Sequence, residues 1–203
     1  MKILCVGHNY RKHLMEMGTP FPETPTIFSK PDTAYLNNNK PFYIPDFSSD
    51  VQYETELVIK IAKNGKCIQP EFASTYYNEI ALGVDFTARD MQRKFKEKGL
   101  PWDLSKGFDN SAPVSRFIPI TSLHDPTNIK FTGKLNNITV QEGNSSYMIF
   151  SFNDLICYIS RFITLREGDI IFTGTPSGVG KVKPGDIFTG FIEDEMLLNF
   201  KIK

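Results

Sequence analysis

The sequence lacks the marks of several common protein classes. No apolar run approaches the roughly 18 residues that a membrane-spanning helix needs. The formal net charge is zero, with 23 basic and 23 acidic side chains. No overall field therefore attracts nucleic acid or an anionic membrane, and we expect neither as a partner.

Cysteine is scarce as well. Cys5, Cys67 and Cys157 are far apart, form no CxxC pair and lie in no Cys/His cluster with zinc spacing. The HExxH zinc motif is also missing. An odd, scattered set of thiols suits a reducing compartment, and residues 1–7 favour a short strand over a signal peptide. These observations predict a cytoplasmic protein.

The 203 residues that are present are 40% hydrophobic and 13% aromatic, enough for one domain with a core. Short β-branched and aromatic runs recur between evenly spread glycines and prolines, which is typical of an α+β, mainly β domain with a few short helices. We expect a single domain over residues 1–203. The expected strands are residues 2–6, 26–29, 54–62, 79–86, 128–135, 138–142, 168–173, 186–192 and 195–202. The expected helices are residues 9–17, 88–98 and 152–163.

Local signals refine these elements. Thr87 and Asp90 predict a capping box for the second helix, and Asn136-Asn137 predicts a two-residue hairpin turn. Gly168-Asp169 and Gly185-Asp186 each precede an apolar run. We interpret this echo as two similar strands, each beginning after a Gly-Asp turn.

The segment from Glu54 to Ile61 is the most informative. On a strand, Glu54 and Glu56 share one face, opposite an apolar face. Two carboxylates this close repel each other unless a cation lies between them, although a solvated strand face also explains the pair. Asp85 ends another apolar run, where it either reaches a pocket or only binds backbone amides. If the three converge, they favour a hard cation such as Mg²⁺ or Mn²⁺ over zinc.

A second pair follows the first strand. His13 and Glu16 are three residues apart and share one face of a helix. A carboxylate beside an imidazole orients it and raises its basicity, which is how a water-activating base is built. An exposed helical ion pair of little energetic value is the alternative interpretation.

Seven segments together resemble the fumarylacetoacetate hydrolase family, in particular its short acylpyruvase and oxaloacetate decarboxylase branch, over nearly the whole chain. They are GHNYxxHxxxxG at 7–18, ETEL at 54–57, DFTARDxQ at 85–92, GLPWxxxKxFD at 99–109, APV at 112–114, QxGxSxxMIF at 141–150 and LxEGDxIxTGTPxGVG at 165–180. One departure is His8, where many relatives carry arginine.

The resemblance implies a mixed β roll or barrel and a homodimer. It implies that Glu54, Glu56 and Asp85 bind Mg²⁺ or Mn²⁺, and that His13 and Glu16 form a catalytic dyad on a mobile lid. It also implies substrate-facing catalytic roles for Gln92 and Lys106, and a pocket-lining, substrate-binding role for Thr173, Gly174 and Thr175. Spacing alone would leave Gln92 and Lys106 as surface residues.

The implied substrate is a small 2-keto acid, whose carboxylate and ketone oxygens can chelate one metal ion. Our first hypothesis is hydrolysis of the C–C bond of acylpyruvates through a metal-bound enolate. The second is decarboxylation or keto–enol tautomerisation of oxaloacetate, which uses the same enolate. A third, of another class, is a non-catalytic dimeric scaffold.

Overall fold

The computed structural model describes residues 1–18, 20–37 and 39–203. Strands dominate the described residues, as the sequence predicts. The strands are β1 (Ile3–Gly7), β2 (Thr26–Lys30), β3 (Tyr35–Leu36), β4 (Val51–Tyr53), β5 (Thr55–Ile61), β6 (Tyr77–Val84), β7 (Thr87–Ala88), β8 (Ala112–Pro113), β9 (Ile118–Pro119), β10 (Lys130–Leu135), β11 (Ile138–Asn144), β12 (Ile170–Phe172), β13 (Gly180–Lys181), β14 (Ile187–Ile192) and β15 (Glu195–Lys201). The α-helices are α1 (Arg11–Glu16), α2 (Pro70–Ala73), α3 (Arg89–Glu97), α4 (Asp103–Lys106) and α5 (Phe152–Phe162).

A six-stranded sheet in the order β2-β1-β12-β5-β6-β9 forms the centre of the fold. Its pairings are antiparallel except for β1 and β12, which run parallel. A four-stranded sheet β11-β10-β14-β15, a three-stranded sheet β13-β4-β7 and the pair β3-β8 complete the strand pairings. Among the described residues, no helix has the length and apolarity to cross a membrane.

Both faces of the six-stranded sheet are buried. Leu57, Ile59 and Ile61 of β5 belong to the larger hydrophobic core. Val58, between them, lies on the other face in a smaller core with Phe172 of β12. Successive side chains of a strand point to opposite faces, so a strand buried on both sides carries an almost continuous apolar run.

The predicted turns and most helix bounds are confirmed. Asn136 and Asn137 both have positive φ, 51° and 67°, as a tight hairpin turn requires. Helix α5 begins with a reciprocal capping box between Ser151 and Asp154. The capping box predicted at Thr87 and Asp90 is wrong. Thr87 pairs with Gln52 as part of β7, and Asp90 instead accepts hydrogen bonds from Ser48 and Ser49.

The two Gly-Asp turns have the same construction. Asp169 Oδ2 accepts from Arg166 N–H, and Asp186 Oδ2 accepts from Lys183 N–H, both at 2.7 Å. The other oxygen accepts from Lys2 N–H at 2.7 Å in the first turn, and from Asn136 Nδ2 at 2.8 Å in the second. Asp169 is only 2% exposed, whereas Asp186 is half-buried.

We expect Asp169→Asn to lower the free energy of unfolding by about 2 kcal/mol, since the amide NH₂ must face one of two N–H donors in a buried site. Asp186→Asn, in the half-buried copy of the turn, should cost less than about 1 kcal/mol. Urea unfolding of both variants at pH 7 measures the difference. Equal losses would contradict this account.

The Asp169 effect should also depend on pH. Burial opposes ionisation of Asp169, but its hydrogen bonds and the Lys2 charge outweigh this and lower its pKa in the folded protein. Stability from this group is therefore complete above its unfolded pKa of about 3.9 and is lost as the pH falls towards the folded value. The gap between wild type and Asp169→Asn should narrow below pH of about 4.

Candidate active site

The register of β5 and β6 brings three carboxylates together. Glu54 directly precedes β5, Glu56 lies within it, and Asp85 directly follows β6. The two strands are antiparallel, so the beginning of one meets the end of the other, and Asp85 N–H donates to the Glu54 carbonyl at 2.8 Å. Each carboxylate offers an oxygen within 4.8 Å of the others, and all three residues are buried.

Three cationic side chains surround this cluster. Lys106 Nζ lies 2.7 Å from Glu54 Oε2 and 2.7 Å from Asp85 Oδ2. Arg89 pairs with the other oxygen of Glu54, and Lys30 Nζ lies 2.7 Å from Asp85 Oδ1. Lys106 and Lys30 are each only 3% exposed, so both ammonium groups interact with the carboxylates with little water between them.

The pKa values of the two glutamates are shifted in opposite directions because their neighbours differ. Burial opposes ionisation of Glu54, but the Lys106 and Arg89 charges outweigh it and hold the pKa of Glu54 well below its ordinary value. Burial, Asp85 and Glu54 all raise the pKa of Glu56 well above its ordinary value. The one hydrogen bond that Glu56 Oε2 accepts comes from Gly174 N–H at 2.7 Å.

This arrangement fits a divalent cation. Glu56 is 2% exposed and forms no ion pair within the described residues, whereas Lys30 and Lys106 already compensate Asp85. An ionised buried carboxylate without a cationic partner is costly unless a bound cation compensates it. The donor set is all oxygen, which suits Mg²⁺ or Mn²⁺. The residues present therefore match the ion that the sequence predicts.

His13 and Glu16 lie on α1, and His13 lines the same cavity as the three carboxylates. His13 Nδ1 lies 3.3 Å from Glu16 Oε2, and Gly178 N–H donates to Glu16 Oε2 at 3.1 Å. Glu16 is thus held from both sides and fixes the imidazole, which leaves Nε2 for proton transfer. The mobility of α1 as a lid stays a prediction.

The loop after β12 supports the cluster from behind. Thr173 Oγ1 donates to the Leu57 carbonyl at 2.9 Å, and Gly174 binds Glu56 as described. Gly174 has φ of 103°, and a Cβ there would lie 2.7 Å from Asn9 Cβ, so only glycine fits. Of the three predicted substrate-binding residues, Thr175 lines the cavity, while Thr173 and Gly174 position the loop.

Helix α3 contributes one side of the cavity. Arg89 and Gln92 are one turn apart and buried, and Arg89 Nη1 donates to Gln92 Oε1 at 2.7 Å. Gln92 lines the cavity, and its role towards the substrate stays a prediction. Lys106, expected to face the substrate, also lines it, but its ammonium group lies between the carboxylates.

The site also includes residues that the sequence analysis did not assign, within the cavity and behind it. Lys30, behind Asp85, gave no signal, because a lone lysine at the end of a strand is usually exposed. Arg89 does carry a sequence signal, since it lies three residues before Gln92 and therefore shares its face of the helix. The other unassigned lining residues include Phe28, Lys96 and Trp102.

Comparison with known proteins extends this picture over the whole chain. The family model described as "Fumarylacetoacetate (FAA) hydrolase C-terminal" matches residues 2–200. "Oxaloacetate tautomerase FAHD1, mitochondrial" from Bos taurus is 42% identical over 201 residues, covering 99% of this chain and 91% of that protein. "Oxaloacetate decarboxylase, mitochondrial" from Dictyostelium discoideum is 44% identical over 187 residues, covering 92% and 86%.

A solved structure gives the same likeness in three dimensions. The fumarylpyruvate hydrolase from Pseudomonas aeruginosa, in complex with Mn²⁺ and pyruvate, superposes with a TM-score of 0.94 at 34% identity. The match covers 100% of this chain and 89% of that one. The predicted fold class, mixed and mainly β with short helices, is confirmed.

Proposed function

The chain belongs to the fumarylacetoacetate hydrolase family and is an enzyme, and we propose that it catalyses keto–enol tautomerisation or decarboxylation of oxaloacetate with a divalent cation. Two relatives named for these reactions support this choice over acylpyruvate hydrolysis, which the sequence analysis placed first. The non-catalytic scaffold loses its support, because relatives across nearly the whole chain are named as enzymes.

One observation carries the proposal. Three buried carboxylates suited to a divalent cation and an imidazole oriented by a carboxylate line the same small cavity. A 2-keto acid needs a Lewis acid at its oxygens and a proton-transfer group at the adjacent carbon, and this cavity offers residues for both.

Glu54, Glu56 and Asp85 would hold the ion, which when bound supplies Lewis-acid polarisation of the substrate keto group. Mn²⁺ in the Pseudomonas aeruginosa structure supports Mn²⁺, and the all-oxygen ligands suit Mg²⁺ equally. Binding also requires Glu56 to be ionised, which its raised pKa opposes until a cation arrives.

The chain's own residues then have separate tasks. To form the enol, His13 Nε2 takes a proton from C3 of the keto form and delivers a proton to the keto oxygen, and the reverse transfers restore the keto form, while Glu16 keeps the imidazole oriented. Lys106 supplies positive charge beside the reacting oxygens, and Gln92, fixed by Arg89, donates a hydrogen bond from its amide nitrogen. In decarboxylation the C3–C4 bond breaks instead and CO₂ leaves, so no base is needed for that step.

Acylpyruvate hydrolysis is the second candidate function. The His13–Glu16 pair favours it, since the same base can activate a water molecule. The named activity of the Pseudomonas aeruginosa structure also favours it.

The test is a comparison of substrates on the purified protein. Decay of the oxaloacetate enol, release of CO₂ from oxaloacetate, and cleavage of acetylpyruvate and fumarylpyruvate are measured with Mg²⁺, with Mn²⁺ and with EDTA. We expect metal-dependent turnover of oxaloacetate to be the fastest. Turnover of the acylpyruvates alone would replace the first proposal by the second.

Replacement of His13 separates the reactions. We expect His13→Ala to lower tautomerisation and hydrolysis by about a hundredfold or more, because both need proton transfer at this position. Decarboxylation should fall by less than about tenfold, since it needs no base. Steady-state rates of the three reactions measure this, with Glu16→Gln as a milder variant. Equal losses in all three would refute the assigned role of His13.

Two further predictions concern the setting of the enzyme. A cytoplasmic location stays a prediction, and the two curated relatives cited above carry the word mitochondrial in their names. The homodimer implied by the family resemblance is equally a prediction. Analytical ultracentrifugation tests it directly.

A further inference from the structure

Lys96 stands at the mouth of the active-site cavity. Arg89, Gln92 and Lys96 are spaced i, i+3 and i+7 along α3, so they lie on one face of the helix. All three line the cavity. Arg89 and Gln92 are buried, whereas Lys96, a turn further on, is exposed to solvent. The basic groups on this face therefore lead from the carboxylate cluster outwards.

Lys96 differs from the other cations of the cavity in having no acidic partner. Arg89 pairs with Glu54, and Lys106 pairs with Glu54 and Asp85. Lys96 takes part in no ion pair within residues 1–18, 20–37 and 39–203. Its charge thus remains available to an anion that enters the cavity.

Lys96 and Lys106 contact different aromatic rings, Trp102 and Phe28. Lys96 Nζ lies 4.9 Å from the centre of the Trp102 ring, within the range of a cation–π contact. Trp102 meets Phe28 edge to face at 5.9 Å, and Lys106 Nζ lies 5.1 Å from the Phe28 ring. One cation therefore serves the inner end of the cavity and another serves the outer end.

The neighbouring histidine is not favoured as a second cation here. Burial and then the Lys96 charge lower the pKa of His8, which disfavours the charged form of its imidazole. His8 packs edge to face on Trp102, with ring centres 6.1 Å apart. On this side of the cavity, Lys96 is the cation that faces an incoming substrate.

The charges favour a substrate with two carboxylates. The lining side chains include three carboxylates and three cations, Arg89, Lys96 and Lys106. Lys30, behind Asp85, adds a fourth basic side chain, so a divalent ion bound by the carboxylates would leave a surplus of positive charge, which favours a dianion over a monoanion. With the 2-keto acid end of such a substrate at the carboxylate cluster, its second carboxylate would extend towards the mouth.

We propose that Lys96, supported by Trp102, binds the second carboxylate of a dicarboxylic 2-keto acid and selects such substrates over monocarboxylic ones. The inference rests on the proposed function, since it assumes that the 2-keto acid end binds at Glu54, Glu56 and Asp85. It makes Lys96 a specificity-determining residue, distinct from the residues that move protons.

Binding of unreactive ligands tests this separately from turnover. With Mg²⁺ present, calorimetry compares 2-oxoglutarate with 2-oxopentanoate, which differ only in a terminal carboxylate. Trp102, the single tryptophan of the chain, reports the same binding by fluorescence. We expect the wild type to bind 2-oxoglutarate about tenfold more tightly, and Lys96→Met to abolish that preference. Equal affinities in the wild type, or no binding of either ligand, would overturn the inference.

Kinetics provide the second measurement. Lys96→Met should raise KM about tenfold for oxaloacetate or fumarylpyruvate, with little change in kcat and little effect on acetylpyruvate. Lys96→Arg should retain the preference. Lys94→Met removes the same charge from the opposite face of α3 and is the matched control. If Lys96→Met raises KM equally for all substrates, the inference is contradicted. A wild type that is inactive on oxaloacetate would refute only the proposed reaction.

Discussion

Glu56→Gln should abolish turnover while the fold is retained. Glu56 is a candidate ligand of the divalent cation, and replacing even an outer-shell partner of a metal costs ten- to hundredfold, so the loss here should exceed about a hundredfold. The fold should survive because burial and the neighbouring Asp85 and Glu54 charges raise the pKa of Glu56 and so oppose its ionised form, which a neutral amide of similar shape replaces. The glutamine oxygen can still accept the Gly174 N–H.

Thermal unfolding with and without Mn²⁺ measures both the loss of metal binding and the retention of the fold. Metal at about 100 times its Kd stabilises the wild type by about 2.7 kcal/mol, and this gain should vanish in Glu56→Gln. Without metal the variant should be at least as stable as the wild type, since the replacement removes repulsion from Asp85 and Glu54.

Glu79→Gln is the matched control for this experiment. Glu79 also lies in the six-stranded sheet, but it pairs with Lys60 at 2.5 Å near the surface. This variant should keep both its activity and its stabilisation by Mn²⁺. A Glu56→Gln protein with normal turnover and a normal Mn²⁺ effect would rule out the proposed ligand.

Lys106→Met should produce the largest change in stability. The Lys106 ammonium group is buried between Glu54 and Asp85, and breaking a buried ion pair on one side costs about 3–5 kcal/mol. Burial opposes the charged form of Lys106, but Asp85 and Glu54 outweigh it and raise the pKa, so the charge is present at neutral pH. The variant leaves Glu54 with Arg89 alone and Asp85 with Lys30 alone as cationic partners among the described residues.

A divalent cation should partly replace the lost charge. We therefore expect Mn²⁺ to stabilise Lys106→Met by more than it stabilises the wild type, in urea unfolding compared with EDTA. Turnover should nevertheless fall by about a hundredfold or more, because the charge beside the reacting oxygens is gone.

Lys60→Met provides the comparison for Lys106→Met. It removes a lysine from a half-exposed pair with Glu79 and should cost less than about 1 kcal/mol. If Lys106→Met with EDTA is destabilised no more than Lys60→Met, the buried ion pairs do not have the importance given to them here. The same conclusion follows if Mn²⁺ stabilises variant and wild type equally.

The sequence by itself determined most of the elements. Apolar runs bounded by Gly-Asp and Asn-Asn turns located the strands, because side-chain alternation and turn geometry are local properties. The spacing of Glu54 and Glu56, and of His13 and Glu16, likewise followed from strand and helix periodicity. The failed capping box at Thr87 shows the limit, since pairing with β4 overrode a local preference.

Only the tertiary structure decided how these residues meet. Asp85 reaches Glu54 because β5 and β6 are antiparallel in one particular register, which depends on contacts far apart in the chain. Lys30 is 55 positions before Asp85 and carries no local signal, yet it lies against that carboxylate. Which charges are neutralised, and that Lys96 is left without a partner, depends on burial and on distances between side chains that no spacing in the sequence specifies.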